Sequence, residues 1–167
     1  MTVAAVNRPK SPSLQTGPSL LNDLTAILLR FCLHRVALTG DIEKAFLNVR
    51  LNEKDRDFTK FLWLSDPSDP ESQFNVYRFT SVLFGAVSSH FILNAFVKTH
   101  LESNASISTS SDLQQNIYVD NVVSDVDNNA EAVNYYNEAN TLMKSCGFNL
   151  HAWSSNSDEV CTLEIAT

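Results

Sequence analysis

The sequence predicts an α+β fold: a ferredoxin-like βαββαβ sheet with helices on one face, and one extra hairpin after the first strand. Three observations predict it. The chain has 167 residues and is 44% hydrophobic, enough for one domain with a real core and too short for two comfortable ones. With a hairpin at 58–82 set aside, the predicted elements run strand, helix, strand-turn-strand, helix, strand. Within "NIYVDNVVSD" (116–125), the polar pair Asp120-Asn121 falls where a tight turn belongs, between apolar and β-branched flanks.

The elements follow in order. Residues 1–12 are Pro/Ser-rich and polar, and read as a disordered start. "SLLNDLTAILLRFCLH" then spaces Leu20, Leu21, Leu24, Ile27, Leu28 and Phe31 along one helical face. The stretch from Val36 to Leu51 mixes β-branched and aromatic residues and reads mostly as strand. "FTKFLWLS" (58–65) and "FNVYRFTSV" (74–82) are strands around the Pro- and Asp-rich loop "DPSDPESQ". "VSSHFILNAFVKTHLE" (87–102) is a helix entered through Ser88 or Ser89, and "SNASISTSSD" (103–112) reads as a polar loop. After the strands around Asp120 comes a helix over 129–147, with Asn128 and Glu131 in capping-box spacing and Gly147 as its stop. "FNLHAW" (148–153) closes the sheet, and 158–167 reads as a tail.

Charge and cysteine usage narrow the function. Residues 1–100 carry eleven Lys/Arg against nine Asp/Glu, and residues 101–167 carry one against ten. Nucleic-acid binding draws on phosphate neutralisation by Lys and Arg, so the acidic second half argues against strong unaided binding. Cys32, Cys146 and Cys161 form no CxxC pair, and the four histidines lack ligand spacing. No apolar run approaches a membrane span and the start has no signal-peptide pattern, so an intracellular, cytoplasmic setting without a membrane partner is expected.

The fold order makes a geometric prediction. The first strand and the central hairpin are neighbours in such a sheet, which brings Asp41 beside Asp120. Each alone reads as ordinary turn or strand-end chemistry. Together, two carboxylates at adjacent strand positions repel, and a divalent metal resolves the repulsion. Two metal ions roughly 3.5–4 Å apart, held this way, serve phosphoryl transfer.

Several stretches resemble one family. "DIEKAFLNV", "VLFGAVSSHFILNAF", "IYVDN" and "GFNLHAWSSN" come in the order of reverse-transcriptase palm motifs. More narrowly, "LLNDLTAILLRF", "DIEKAF", "FLWL" and "YRFT" resemble the BEL/Pao class of LTR retrotransposons. The resemblance implies a polymerase palm with a partial fingers hairpin over 13–157, part of a retroelement polyprotein. It implies RNA-directed DNA polymerase activity on an RNA/DNA template-primer and dNTP, with two Mg²⁺ ions or Mn²⁺ in their place. Asp41 and Asp120 would bind metal, with the Ile42 backbone completing the first site, and Asp120-Asn121 would match the catalytic turn. Phe46 would pack under the sugar and select deoxynucleotides, although it is equally a core aromatic. Phe84 and Gly85 would lie against the nucleotide and template, glycine permitting close backbone approach. Tyr118 would sit near the primer end.

Departures from the pattern temper the expectation. Asn121 stands where the family usually has a second aspartate, and loses a charge and a hard-cation ligand. Leu83 and His90 replace prolines, and His151-Ala152 stand where a lysine is common, leaving His151 as a proton donor or an exposed strand histidine. Most of the fingers, the thumb and the ribonuclease H segment are expected to be missing from this chain, so activity is expected to be impaired. A catalytically dead palm kept as a binding module is the alternative. A two-metal nuclease or cyclase is a weaker one.

Overall fold

The computed structural model describes residues 15–165; the disordered start expected over 1–12 lies outside them. Helix α1 covers Leu24–Arg30, strand β1 Val36–Ile42 and the short helix α2 Ala45–Asn48. A 3₁₀ turn at Arg56–Thr59 leads into β2 (Lys60–Leu64) and β3 (Phe74–Arg78). Helices α3 (Ser89–Ser103) and α4 (Ser108–Asn116) precede β4 (Ile117–Tyr118) and β5 (Asn121–Val126). Helix α5 (Asn129–Lys144), β6 (Leu150–Ser155) and α6 (Asp158–Ile165) complete the chain.

The main sheet is antiparallel, in the order β4-β5-β1-β6. That is the predicted ferredoxin-like arrangement: the first strand lies between the second hairpin strand and the last strand. Burial alternates along β1, with Val36, Leu38, Gly40 and Ile42 buried and Ala37, Thr39 and Asp41 half-exposed. A period-2 strand puts alternate side chains on opposite faces. Leu38 and Ile42 therefore enter the core with Leu93, Leu113, Ala139, Met143 and Phe148, while Asp41 stands on the open face.

Several elements differ from the sequence expectations. The strand expected over 36–51 ends at Ile42; Lys44 turns the chain at φ +50°, and Phe46 sits in α2 rather than a strand. Helix α1 begins at Leu24 because Asp23 Oδ1 accepts from the Thr25 N–H at 2.8 Å. Of its expected apolar face only Ile27 is buried; Leu24 and Leu28 are exposed. The expected polar loop after α3 folds as α4, since Thr109, Ser110, Leu113 and Asn116 are buried, with Ser110 Oγ donating to the Leu101 carbonyl at 2.6 Å. The segment expected as a tail forms α6, whose Val160 is in the core.

Half of the capping box is present: Asn128 Oδ1 accepts from the Glu131 N–H at 3.0 Å, while Glu131 Oε2 accepts from the N–H of Asp127, one residue before the cap, at 3.2 Å. Among the described residues, no helix is long and apolar enough to cross a membrane, and the three cysteines are free.

Candidate active site

The site is built where β1 ends against the β4–β5 turn. Asp41 pairs in register with Asn121, not with Asp120. Asp120 lies one residue back, and its carbonyl accepts from the Ile42 N–H at 2.8 Å. That bond ties the turn to the strand end, so Asp41 and Asp120 are neighbours across it. The turn is shifted from its expected centre: Tyr118 pairs with Asn121, leaving Val119 and Asp120 as the central residues. Val119 has φ +59°, a position glycine usually fills in two-residue hairpins. A β-branched residue there is strained, and such strain clusters at functional sites.

Both carboxylates have a side-chain nitrogen within hydrogen-bond distance. The Asn121 amide donates to Asp120 Oδ1 at 3.0 Å, and His151 Nε2 lies 3.0 Å from Asp41 Oδ2. Among the described residues neither aspartate is paired with a lysine or arginine. Asp41 keeps 38% of its side-chain surface, so burial alone does not oblige it to bind a cation, contrary to the cost argument from sequence. Among the described residues no three of His, Cys, Asp and Glu converge on one point. A small hard cation is commonly held by one or two carboxylates with water and substrate phosphates rather than by an all-protein cage. The donor set therefore fits a hard divalent cation.

Phe46, expected to pack under the sugar, lies in α2. It is buried, with its ring edge-on to Phe84 and to His90, each at 5.5 Å between centroids. Phe84 itself is 81% exposed. Gly85 next to it has φ +84° with nothing within 4 Å of a Cβ built there, so backbone conformation rather than crowding asks for glycine. The loop that lacks the usual prolines is fastened by Ser89 Oγ, which donates to the Leu83 carbonyl. Tyr118 ends the edge strand β4, half-buried.

Sequence reasoning did not single out Glu43, and named His151 without its contact to Asp41. Glu43 accepts from Lys44 Nζ at 2.9 Å and from Asn149 Nδ2 at 3.1 Å; the lysine first, then the amide, holds its carboxyl below the usual range. His151 stands out in the sequence, but its contact with Asp41 depends on a strand irregularity that no local pattern announces.

A ferredoxin-like antiparallel sheet with an aspartate on its open face, beside an acidic turn, defines an α+β palm. Known proteins agree with this. Residues 1–153 match the family described as reverse transcriptase (RNA-dependent DNA polymerase), and the chain belongs to that family. A solved foamy viral protease-reverse transcriptase in complex with an RNA/DNA hybrid is similar in fold, with a TM-score of 0.58 and 17% sequence identity. The match covers 78% of this chain and 15% of that one. No curated protein sequence matches the chain.

Proposed function

We propose that residues 13–157 are the palm, with part of the fingers, of an RNA-directed DNA polymerase of the BEL/Pao LTR-retrotransposon type, working inside the cell. The reaction is attack of a primer 3′-hydroxyl on the α-phosphate of a dNTP, directed by an RNA or DNA template, with pyrophosphate leaving. The observation that carries the reading is the joining of Asp41 to the Asp120 turn through the Ile42 N–H on the open face of the sheet. The foamy viral relative was solved with an RNA/DNA hybrid, which supports a template-primer as partner.

Asp41 and Asp120 would hold divalent cations, Mg²⁺ or Mn²⁺, with the Ile42 backbone completing the first site. When bound, these supply two-metal neutralisation of charge on the reacting phosphates. The remaining roles belong to the chain. Phe46, braced by Phe84 and His90, forms a wall against which a deoxyribose packs and a 2′-hydroxyl collides. Phe84 and Gly85 face nucleotide and template, and Tyr118 steadies the primer end. Asn121 keeps the turn but donates to Asp120 where an aspartate would add charge, which slows the chemical step by roughly 10²–10³.

Primer extension on an RNA template with Mg²⁺ or Mn²⁺ tests this. Asp41→Asn abolishes extension, and Asn121→Asp raises it by about 10²–10³. A second reading, a palm kept as a binding module, is favoured by one observation: Asn121 adds no charge at the turn and its amide already donates to Asp120 Oδ1. Silence from the native chain, Asn121→Asp and Asp41→Asn alike, with template-primer still bound by all three, would select that module.

A further inference from the structure

The pairing of β6 with β1 contains an irregularity that aims one side chain. Leu38 pairs with Ser155 and Thr39 with Ser154, then Asp41 with His151 and Ile42 with Leu150; the register shifts between Thr39 and Asp41. Continued unbroken, the first register would set Ala152 opposite Asp41 and turn His151 to the other face, since a one-residue slip reverses every side chain. Instead β6 carries one extra residue in this interval, as in a β-bulge, a feature found beside active sites where it re-aims a side chain.

The bulge is held by two further features. Ala152 adopts φ +51°, a conformation that L-residues other than glycine seldom take. Trp153, buried on the core side, lays its indole against Gly40, where a Cβ would stand only 3.0 Å from the ring. Gly40 is thus the residue that lets the indole close over the strand.

The consequence is the contact of His151 Nε2 with Asp41 Oδ2 at 3.0 Å. An ionised carboxylate only accepts, so Nε2 is assigned the proton and donates it. We propose that His151 is a positioning residue for the Asp41 cation site, its N–H holding Oδ2 so that Oδ1 is left for the cation. The inference rests on the reading of Asp41 as a cation ligand. A ring N–H on Oδ2 suits this role because it fixes the rotation of a half-exposed carboxylate and leaves the other oxygen open. Outer hydrogen bonds of this kind orient metal ligands, and their loss costs about 10–100-fold in metal affinity.

Mn²⁺ binding to the intact chain, read by the EPR signal of the free ion, tests the inference without relying on catalysis. His151→Ala weakens Mn²⁺ binding about 10–100-fold with an unchanged melting temperature, and His151→Gln, whose amide reaches the Nε2 position, restores most of it. Should His151→Ala melt early, His151→Asn makes the same comparison, since its shorter amide does not reach Asp41. Spin-echo spectra of bound Mn²⁺ show no coordinated imidazole nitrogen. Native affinity in both His151→Ala and His151→Asn, with binding lost in Asp41→Asn, overturns the positioning role alone. A directly coordinated nitrogen also overturns it, making His151 a ligand. Binding that is absent from the native chain, or indifferent to Asp41→Asn, removes the cation reading of Asp41 and this inference with it.

Discussion

The four-stranded sheet and the β2–β3 hairpin are both antiparallel, yet they are stabilised differently. Leu38 and Val122 in the sheet, and Phe148 just before β6, are 0–1% exposed and belong to one continuous core. In the hairpin, Leu62, Trp63, Phe74 and Val76 are all more than half exposed. Leu62 pairs with Val76 on one face and Phe61 with Tyr77 on the other, so neither face meets a core. A two-stranded ribbon alone is marginal in water. This one is fastened mainly at its base, where Arg78 Nη1 donates to Asp57 Oδ1 at 3.0 Å and the Phe79 N–H donates to Thr59 Oγ1 at 3.1 Å. The difference teaches that the site is mounted on the rigid element. Asp41 extends a strand whose other face is fully packed, so its backbone does not depend on the hairpin.

The largest expected effect breaks the comparison at its core. Phe148→Ala should destabilise the fold by about 3–5 kcal/mol, whereas Phe74→Ala in the hairpin should change stability by less than about 0.5 kcal/mol. Urea denaturation checks both, and equal losses would mean that the hairpin carries core packing after all. A smaller effect belongs to the bulge. Gly40→Ala crowds the Trp153 indole and should cost about 1–3 kcal/mol, measured by thermal melting. It should also disturb the His151 contact, while an alanine at the open Gly85 site meets no neighbour.

The smallest effect sharpens the contrast by pH. Hydrogen bonds from Lys60 and then Arg78 hold the Asp57 carboxyl below its usual range. A carboxyl depressed in the folded state stabilises above its unfolded pKa, and that contribution is lost as pH falls through the folded value. Acidification should therefore lower the protection of amides in β2 and β3, taken relative to the intrinsic exchange rate at each pH, before it touches β1 and β5. Hydrogen exchange followed by mass spectrometry reads this directly, and simultaneous opening of both sheets would refute it.

Much of the fold was legible. Strand order followed from period-2 and helical patterning, because the core faces of β1, β5 and α5 carry their burial in their own residue types. The Asn128 cap and the Gly147 stop were readable for the same reason: each acts within one turn, and Gly147 does take φ +87°. The neighbourhood of Asp41 and Asp120 was readable because fold topology alone brings β1 to the central hairpin. Helix α4 was not, since "STSSDLQQN" has almost no apolar face and is helical where Ser110, Leu113 and Asn116 find partners on other elements. Phe46 read as strand because aromatic and β-branched composition favours one, whereas the Lys44 turn directs the chain into a helix against Phe84 and His90.

The sequence by itself determined the family, the order of the strands in the main sheet and the acidic residues, all of which reside in local pattern and residue identity. Tertiary structure alone decided which atoms meet. Asn121 rather than Asp120 faces Asp41, Val119 bears the strain of the turn, and His151 rather than Ala152 reaches the carboxylate. The physical reason is register: strand pairing is set by packing across the sheet, here by an indole on Gly40, and a shift of one residue exchanges the two faces.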